Sequence, residues 1–396
     1  MADLEMTIGF SKLQVTGYRR LRAIQDLRLN PFNVLIGANG VGKSSVLEVM
    51  DLLAASAEGS LENTLSQAGG LSSLLTLDGR TDSMNFALEM PVEKAAPITY
   101  QMRLSLRGVG YVVSFEQLTQ QQSPTAITPF KFIDGSGPIV RYHDKDEKHL
   151  LEPNWEYKST ETALSQVPKM YQKPEQFRQL LASSTEIYHA LDVSARAPVR
   201  LPQSIQPAQT PGPDGEDLVS CLYSIRETQR NRYEVIEDTL KAAFPTFERM
   251  DFPPTGAGSL TLAWNDRNFT KPIYPHQLSE GTLRFLWLVT LLQSPGLPKV
   301  TLIDEPEISL HPEMLSLLAD LMREAASRTQ LIVATHSDRF VRFLEPDELL
   351  VFDIDEGGGT IVQRASECDL ESWLADYSLD ELWSMGRLGG RSVIRQ

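Results

Sequence analysis

Hydrophobic and polar positions change their period several times along this chain, and each change marks an element. Ahead of residue 37, "KLQVTGYRRL" and "DLRLN" alternate weakly, Pro31 punctuates, and "FNVLI" is a short apolar run. That pattern predicts a β unit ending in a buried strand. From Lys43, the residues Val46, Val49, Met50 and Leu53 recur at three- and four-residue spacings, which predicts an amphipathic helix opened by a glycine-rich turn. Residues 84–116 alternate again ("MNFALEM", "ITYQMRLSL", "GYVVSFEQL") and predict antiparallel strands broken at Pro91 and Pro97.

Helical periodicity returns over 161–192 and 216–244, where Tyr233, Ile236, Leu240 and Phe244 form one apolar stripe and Pro245 stops it. Between them, Pro198, Pro202, Pro207, Pro211 and Pro213 exclude a helix and predict an extended or mobile loop. The last third predicts a hairpin turning at Asn265-Asp266, a buried strand in "KVTLID", a helix with Pro312 in its first turn, and another strand in "TQLIVAT". This βαβ rhythm implies a largely parallel sheet. The expected organisation is an α/β core split between 1–60 and 251–396. A β subdomain is inserted over 61–155, and a helical lobe over 156–250 carries the Pro-rich loop 196–215. No heptad run persists, and no internal repeat is visible.

Composition refines this picture only slightly. With 396 residues, 41% hydrophobic and 22% charged, the chain is long enough for a principal core and a second lobe. Its net charge of −15 argues against a whole surface that binds nucleic acid, and leaves "YRRLR" at 18–22 as the candidate basic patch, read as a solvated edge. Cys221 and Cys368, with no CxxC, support neither a disulfide framework nor a zinc site. No apolar run of about 18 residues occurs and the start lacks a secretory pattern, so a cytoplasmic protein without a membrane partner is expected.

The candidate chemistry is concentrated in four places. Gly37-Ala38-Asn39-Gly40-Val41-Gly42-Lys43-Ser44 fits G-x-x-x-x-G-K-[ST] between a buried strand and a helix, followed by Ser45. Such a loop closes backbone N–H groups around phosphates, with Lys43 reaching the β- and γ-phosphates and Ser44 ligating Mg²⁺. In "VTLIDEPEISLHP" an apolar strand ends on Asp304, suited to Mg²⁺, and Glu305, suited to polarising a water. "LIVATHSDRF" brings His336 to the end of another strand, as a switch residue near the γ-phosphate. In "QLSEGTLRFLWLVTLL", Ser279 can cap a helix starting near Gly281. Asp353 and Asp355 read as a strand end before a Gly-rich turn.

In this order the four elements resemble the ABC-type ATPase head of the RecF, SMC and OLD proteins. "GANGVGKS" is similar to their Walker A with its Asn39, "LSEGT" to their signature motif, "LIDEPEISLHP" to Walker B with the D-loop, and His336 to the H-loop. The resemblance is nearer still to the compact AAA_21-type AAA family ATPases, whose LS[DE]GT-x-R-[FL] is matched by "LSEGTLRF" and whose ending resembles "LDELWSMGRLGGR". It implies a P-loop NTPase fold with a mixed, largely parallel sheet, and ATP and Mg²⁺ as cofactors. Two copies would sandwich ATP between one copy's Walker motifs and the other's Ser279, Glu280 and Gly281. It further implies hydrolysis by Glu305 with His336, and an output through a separate effector such as a nuclease in anti-phage defence, or else through duplex DNA as in RecF. A Q-loop glutamine is left open among Gln67, Gln101 and Gln166.

Overall fold

The computed structural model describes residues 9–123, 126, 128–137, 139–144, 146–183, 187–368 and 377–388. Two sheets and two helical layers stack around the helix that follows the glycine-rich turn. The central sheet has six strands: β3 (Phe32–Gly37), β10 (Ile187–Tyr188), β16 (Val300–Asp304), β17 (Gln330–Ala334), β18 (Leu349–Ile354) and β19 (Thr360–Arg364). Their order is β10-β16-β17-β3-β18-β19, parallel throughout except for the antiparallel edge strand β19. Each crossover returns over a helix, as parallel pairing requires.

The second sheet is antiparallel and has eight strands. It begins with β1 (Lys12–Tyr18) and β2 (Leu21–Arg28) and continues through β4 (Ser83–Val92), β5 (Ala95–Arg107), β6 (Gly110–Gln120), β7 (Phe130–Ser136), β8 (Ile139–His143) and β9 (Leu150–Leu151). The strands expected as a self-contained insertion over 61–155 therefore extend a sheet founded by residues of 1–60, with β1 pairing directly to β4. The stretch after residue 60 opens as helices, α2 (Leu61–Gln67) and α3 (Leu71–Leu74).

Helix α1 (Lys43–Glu58) lies between the two sheets. Its Val46, Val49, Met50 and Leu53 are buried in one cluster with Phe86 and Tyr100 of the antiparallel sheet and with Leu35, Leu302 and Ile332 of the central one. The opposite face of the central sheet, Val34, Ile36, Ile303 and Val333, packs on α6 (Leu218–Thr228), α7 (Arg230–Ala243), α8 (Glu280–Gln293) and α9 (Pro312–Ala325). Successive residues of β3 thus serve alternate clusters, the period-two consequence of a strand buried on both sides. Helix α8 is buried on nearly all faces from Leu283 to Gln293, which explains its unbroken apolar sequence. The remaining helices are α4 (Ala163–Gln166), α5 (Gln172–Ala182), α10 (Asp338–Val341) and α11 (Leu379–Ser384). The end of "LDELWSMGRLGGR", from residue 389, lies outside the described residues.

Three local expectations are revised. Pro91 and Pro97 do not break the strands. They lie inside β4 and β5 near the hairpin end, where the ladder shifts register between Met90 and Val92, so a missing N–H is tolerated. The Pro-rich segment is packed rather than loose: Ala197, Val199 and Ala208 are buried, Gln203–Ser204 form a strand (β11), and Trp287 Nε1 donates to Gly212 O at 2.8 Å. The expected hairpin is divided. Ser259–Leu260 (β14) pairs with β11 and with Pro254–Gly256 (β13), while Ala263–Asp266 (β15) pairs with Phe247–Asp251 (β12). Among the described residues, no helix is long and apolar enough to cross a membrane.

Candidate nucleotide site

β3 is buried at every position, and the turn leaving it uses Gly37, Gly40 and Gly42 at φ 149°, 74° and 109°. A Cβ on Gly37 would lie 2.4 Å from the Phe352 carbonyl on neighbouring β18, so a side chain there would force the two strands apart. Lys43 opens α1 and is only 3% exposed. Its ammonium donates to the carbonyls of Gly37 at 2.8 Å and Ala38 at 3.0 Å, and to His336 Nδ1 at 3.0 Å. Burial pushes its pKa down to about 8 against the pull of Asp304, Glu305 and Glu307, so it stays charged at neutral pH.

Because β3, β16 and β17 run parallel, their C-terminal ends share one edge, where open α/β sheets bind ligands. Ser44 Oγ donates to Asp304 Oδ1 at 3.4 Å. Glu305 takes the left-handed conformation, φ 54°, with its N–H held by Ala334 O at 2.8 Å. Its Oε1 stands 3.1 Å from His336 Nε2. An ammonium can only donate, so Nδ1 of His336 accepts from Lys43 and the ring proton sits on Nε2, facing Glu305. Burial, then the Lys43 charge, holds the His336 pKa below its ordinary value, favouring this neutral ring. Lys43, His336 and Glu305 form one hydrogen-bonded chain.

A pocket of about 250 Å³ over the turn is lined by Gly40, Gly42, Lys43, Ser44, Ser45 and His336, together with Arg19 and Arg20. Asn39 is exposed at the crest of the turn. Asp304 and Glu305 join this group through Ser44 and His336. Ser279, Glu280 and Gly281 do not line the pocket. Ser279 and Glu280 are exposed, and the Ser279 hydroxyl caps α8 by accepting from Thr282 N at 3.1 Å. Gly281 presses on the loop after β16, where an added Cβ would sit 2.5 Å from Ser309 O. Arg284 Nη1 ties the same loop by donating to Ser309 Oγ at 2.8 Å.

The family model described as "AAA domain, putative AbiEii toxin, Type IV TA system" matches residues 32–342. The chain belongs to the AAA_21 family. No curated protein matches its sequence. Among solved structures, an SMC head bound to the C-winged helix domain of ScpA is similar at TM-score 0.55 and 13% identity, over 90% of this chain and 97% of that one. The SMC head with an extended coiled coil, bound to the C-terminal domain of ScpA and derived from Pyrococcus furiosus, is similar at TM-score 0.51 and 11% identity, over 96% and 98%. The AAA_21 chain therefore has the fold of an ABC-type ATPase head, a P-loop NTPase architecture.

Three residues of the AAA_21 site were not singled out by sequence pattern. Arg20, within the stretch read as a solvated edge, stands over the P-loop because its turn is pinned on both sides. Tyr18 and Arg19 donate to Glu48 of α1 at 3.0 and 2.9 Å, and the Thr360 hydroxyl contacts the carbonyls of Arg20 and Val41 at 3.1 and 2.8 Å. Glu307 accepts from Thr335 Oγ1 at 2.5 Å and His336 N at 3.2 Å, while its other oxygen is buried without a hydrogen-bond partner. Burial pushes its pKa up. His189, directly after β10, places Nδ1 3.7 Å from Asp304 Oδ2. Only the "DEPE" spacing hinted at Glu307, the arginine cluster of "YRRLR" marked the neighbourhood of Arg20 but not its place over the P-loop, and nothing local marked His189.

None of Gln67, Gln101 and Gln166 lines the pocket. The Gln166 amide is engaged by the Lys158, Glu161 and Thr162 carbonyls. Asp355 holds its own turn, accepting from Gly359 N at 2.8 Å. Ser44 and Asp304 offer the hard oxygen donors that suit Mg²⁺, directly or through its water shell, and they already stand together at 3.4 Å.

Proposed function

We propose that this protein is an ATP-hydrolysing head that works as a pair, two copies enclosing ATP between the P-loop edge of one and the start of α8 of the other. The observation carrying this reading is the split layout. Lys43, Ser44, Asp304, Glu305 and His336 converge on one edge, whereas Ser279 to Gly281 stand outside that pocket at an exposed helix start. A helix start offers N–H groups and a positive dipole end to an anion, and here a second molecule could supply one. Bound Mg²⁺ would neutralise phosphate charge between Ser44 and Asp304. Phosphate oxygens give Lys43 new acceptors and release His336 Nδ1. Glu305 then orients and deprotonates the attacking water, and loss of the γ-phosphate removes the contacts that hold the pair closed.

The output is read as gating of a separate effector. A family described through a toxin–antitoxin system supports a second protein as recipient, and analogy with OLD proteins, whose head precedes a nuclease, makes a nuclease in anti-phage defence our choice. Light scattering of Glu305→Gln with and without Mg-ATP, each with and without duplex DNA, tests the scheme. The variant should bind ATP, accumulate as a dimer and turn over roughly 100-fold more slowly; an unchanged steady-state rate removes Glu305 from its role. A dimer that retains DNA would move the reading to a repair ATPase resembling RecF.

A further inference from the structure

A second concavity, wider than the nucleotide pocket, lies on the far side of the central sheet. A cleft of about 1000 Å³ opens at the opposite edge of the central sheet, beside Pro31, Lys299 and Gln330, where β3, β16 and β17 begin. Its floor is fixed: buried Gln330 accepts from Phe10 N at 2.9 Å and donates to Phe10 O at 2.7 Å and Asn30 O at 3.0 Å. Leu29, Val92 and Leu297 add apolar surface. One wall carries Arg232, Lys299 and Arg328, and Glu93 is the sole acid in the lining, on a chain whose net charge is −15.

Two of these cations are held together by the fold. Arg232 Nη1 donates to Gln293 O at 3.1 Å and Ser294 O at 3.4 Å; Arg328 donates to the same Ser294 O at 3.4 Å and to Leu292 O at 2.6 Å. Paired guanidiniums repel one another, and a bound anion relieves that repulsion. The volume matches that of small-molecule sites, and the combination of the apolar surface of Leu29, Val92 and Leu297 with a basic wall selects a ligand with both characters.

We propose that this cleft binds a small organic anion with a flat apolar body and one carboxylate, sulfonate or phosphate group. The carbonyls capped by Arg232 and Arg328 end α8, the helix whose other end is Ser279 to Gly281. A ligand that engages these arginines therefore acts on the support of the proposed partner-facing end, about 20 Å away along the helix. That coupling rests on the paired-head reading; binding itself does not, and is measured without nucleotide.

The probe is anilinonaphthalene sulfonate, titrated calorimetrically into the full chain. One molecule per chain is expected, with affinity about tenfold weaker in Lys299→Glu and for the uncharged anilinonaphthalene, and lost when Ser327→Trp fills the rim. Lys43→Ala should leave binding unchanged. Lys299 and Ser327 are exposed, and equal melting temperatures verify that both variants fold. Absence of saturable binding, indifference to Lys299→Glu, Ser327→Trp or the missing sulfonate, or loss in Lys43→Ala would each overturn the proposal.

Discussion

The starts of α1 and α8 both carry glycine, Gly42 just before the first and Gly281 in the first turn of the second, yet the fold leaves them in opposite states. At the first, the charged groups are already partnered: Lys43 is held by two carbonyls and His336, and His336 meets Glu305. At the second, Ser279 caps its own helix and the surface beyond it is exposed. The first can receive phosphate by exchanging internal partners for external ones. The second makes no contact with that pocket from within the same chain. Under the proposed pairing, a site divided in this way would tie chemistry to encounter between molecules.

Disabling one side while sparing the other sharpens this contrast. The largest effect is expected from Lys43→Ala, which should weaken ATP binding by about 100-fold in calorimetry while leaving the melting temperature near that of the wild type. Gly281→Ala acts on the other side: its Cβ would meet Ser309 O at 2.5 Å. ATP affinity of the single chain should hold within about twofold, whereas ATP-dependent dimerisation measured by light scattering should weaken roughly tenfold. Equal loss of both would break the division.

Glu307→Ala should lower kcat about tenfold with little change in KM, because it frees the backbone bearing His336. Glu307→Gln, whose amide oxygen can still accept from Thr335 and His336 N, should recover most of that loss. The smallest expected effect is on pH dependence. His336 is held below its ordinary pKa, so the unfolded chain takes up the proton first as pH falls through about 6.5. The stability contributed by the neutral ring is present above that value and declines below it. The melting-temperature gap between wild type and His336→Gln should therefore narrow from pH 8 to pH 5.5.

What the sequence revealed was what neighbours in the chain can specify. Lys43, Asp304 and His336 sit at the ends of apolar runs, so strand period and turn chemistry locate them without knowledge of packing. Arg20 and Glu307 matter through contacts across the fold, Arg20 over a loop anchored by Thr360 and Glu307 under the backbone of His336. The Pro-rich segment was misread for the same reason. Its prolines do exclude an α-helix, leaving a single 3-10 turn at Pro198–Arg200, but Val199 and Ala208 are buried in one apolar cluster with residues of α6 to α9, and the bond from Trp287 to Gly212 joins positions no local pattern connects.

Glu305 has a consequence for anyone selecting variants. Its φ of 54° is a conformation in which an L side chain costs roughly 1 kcal/mol and glycine almost nothing. Glu305→Gly should therefore be tolerated, or even favoured, by a screen that rewards heat resistance, while the carboxylate proposed to act on water disappears. Selection for robustness and selection for turnover would pull this one position in opposite directions.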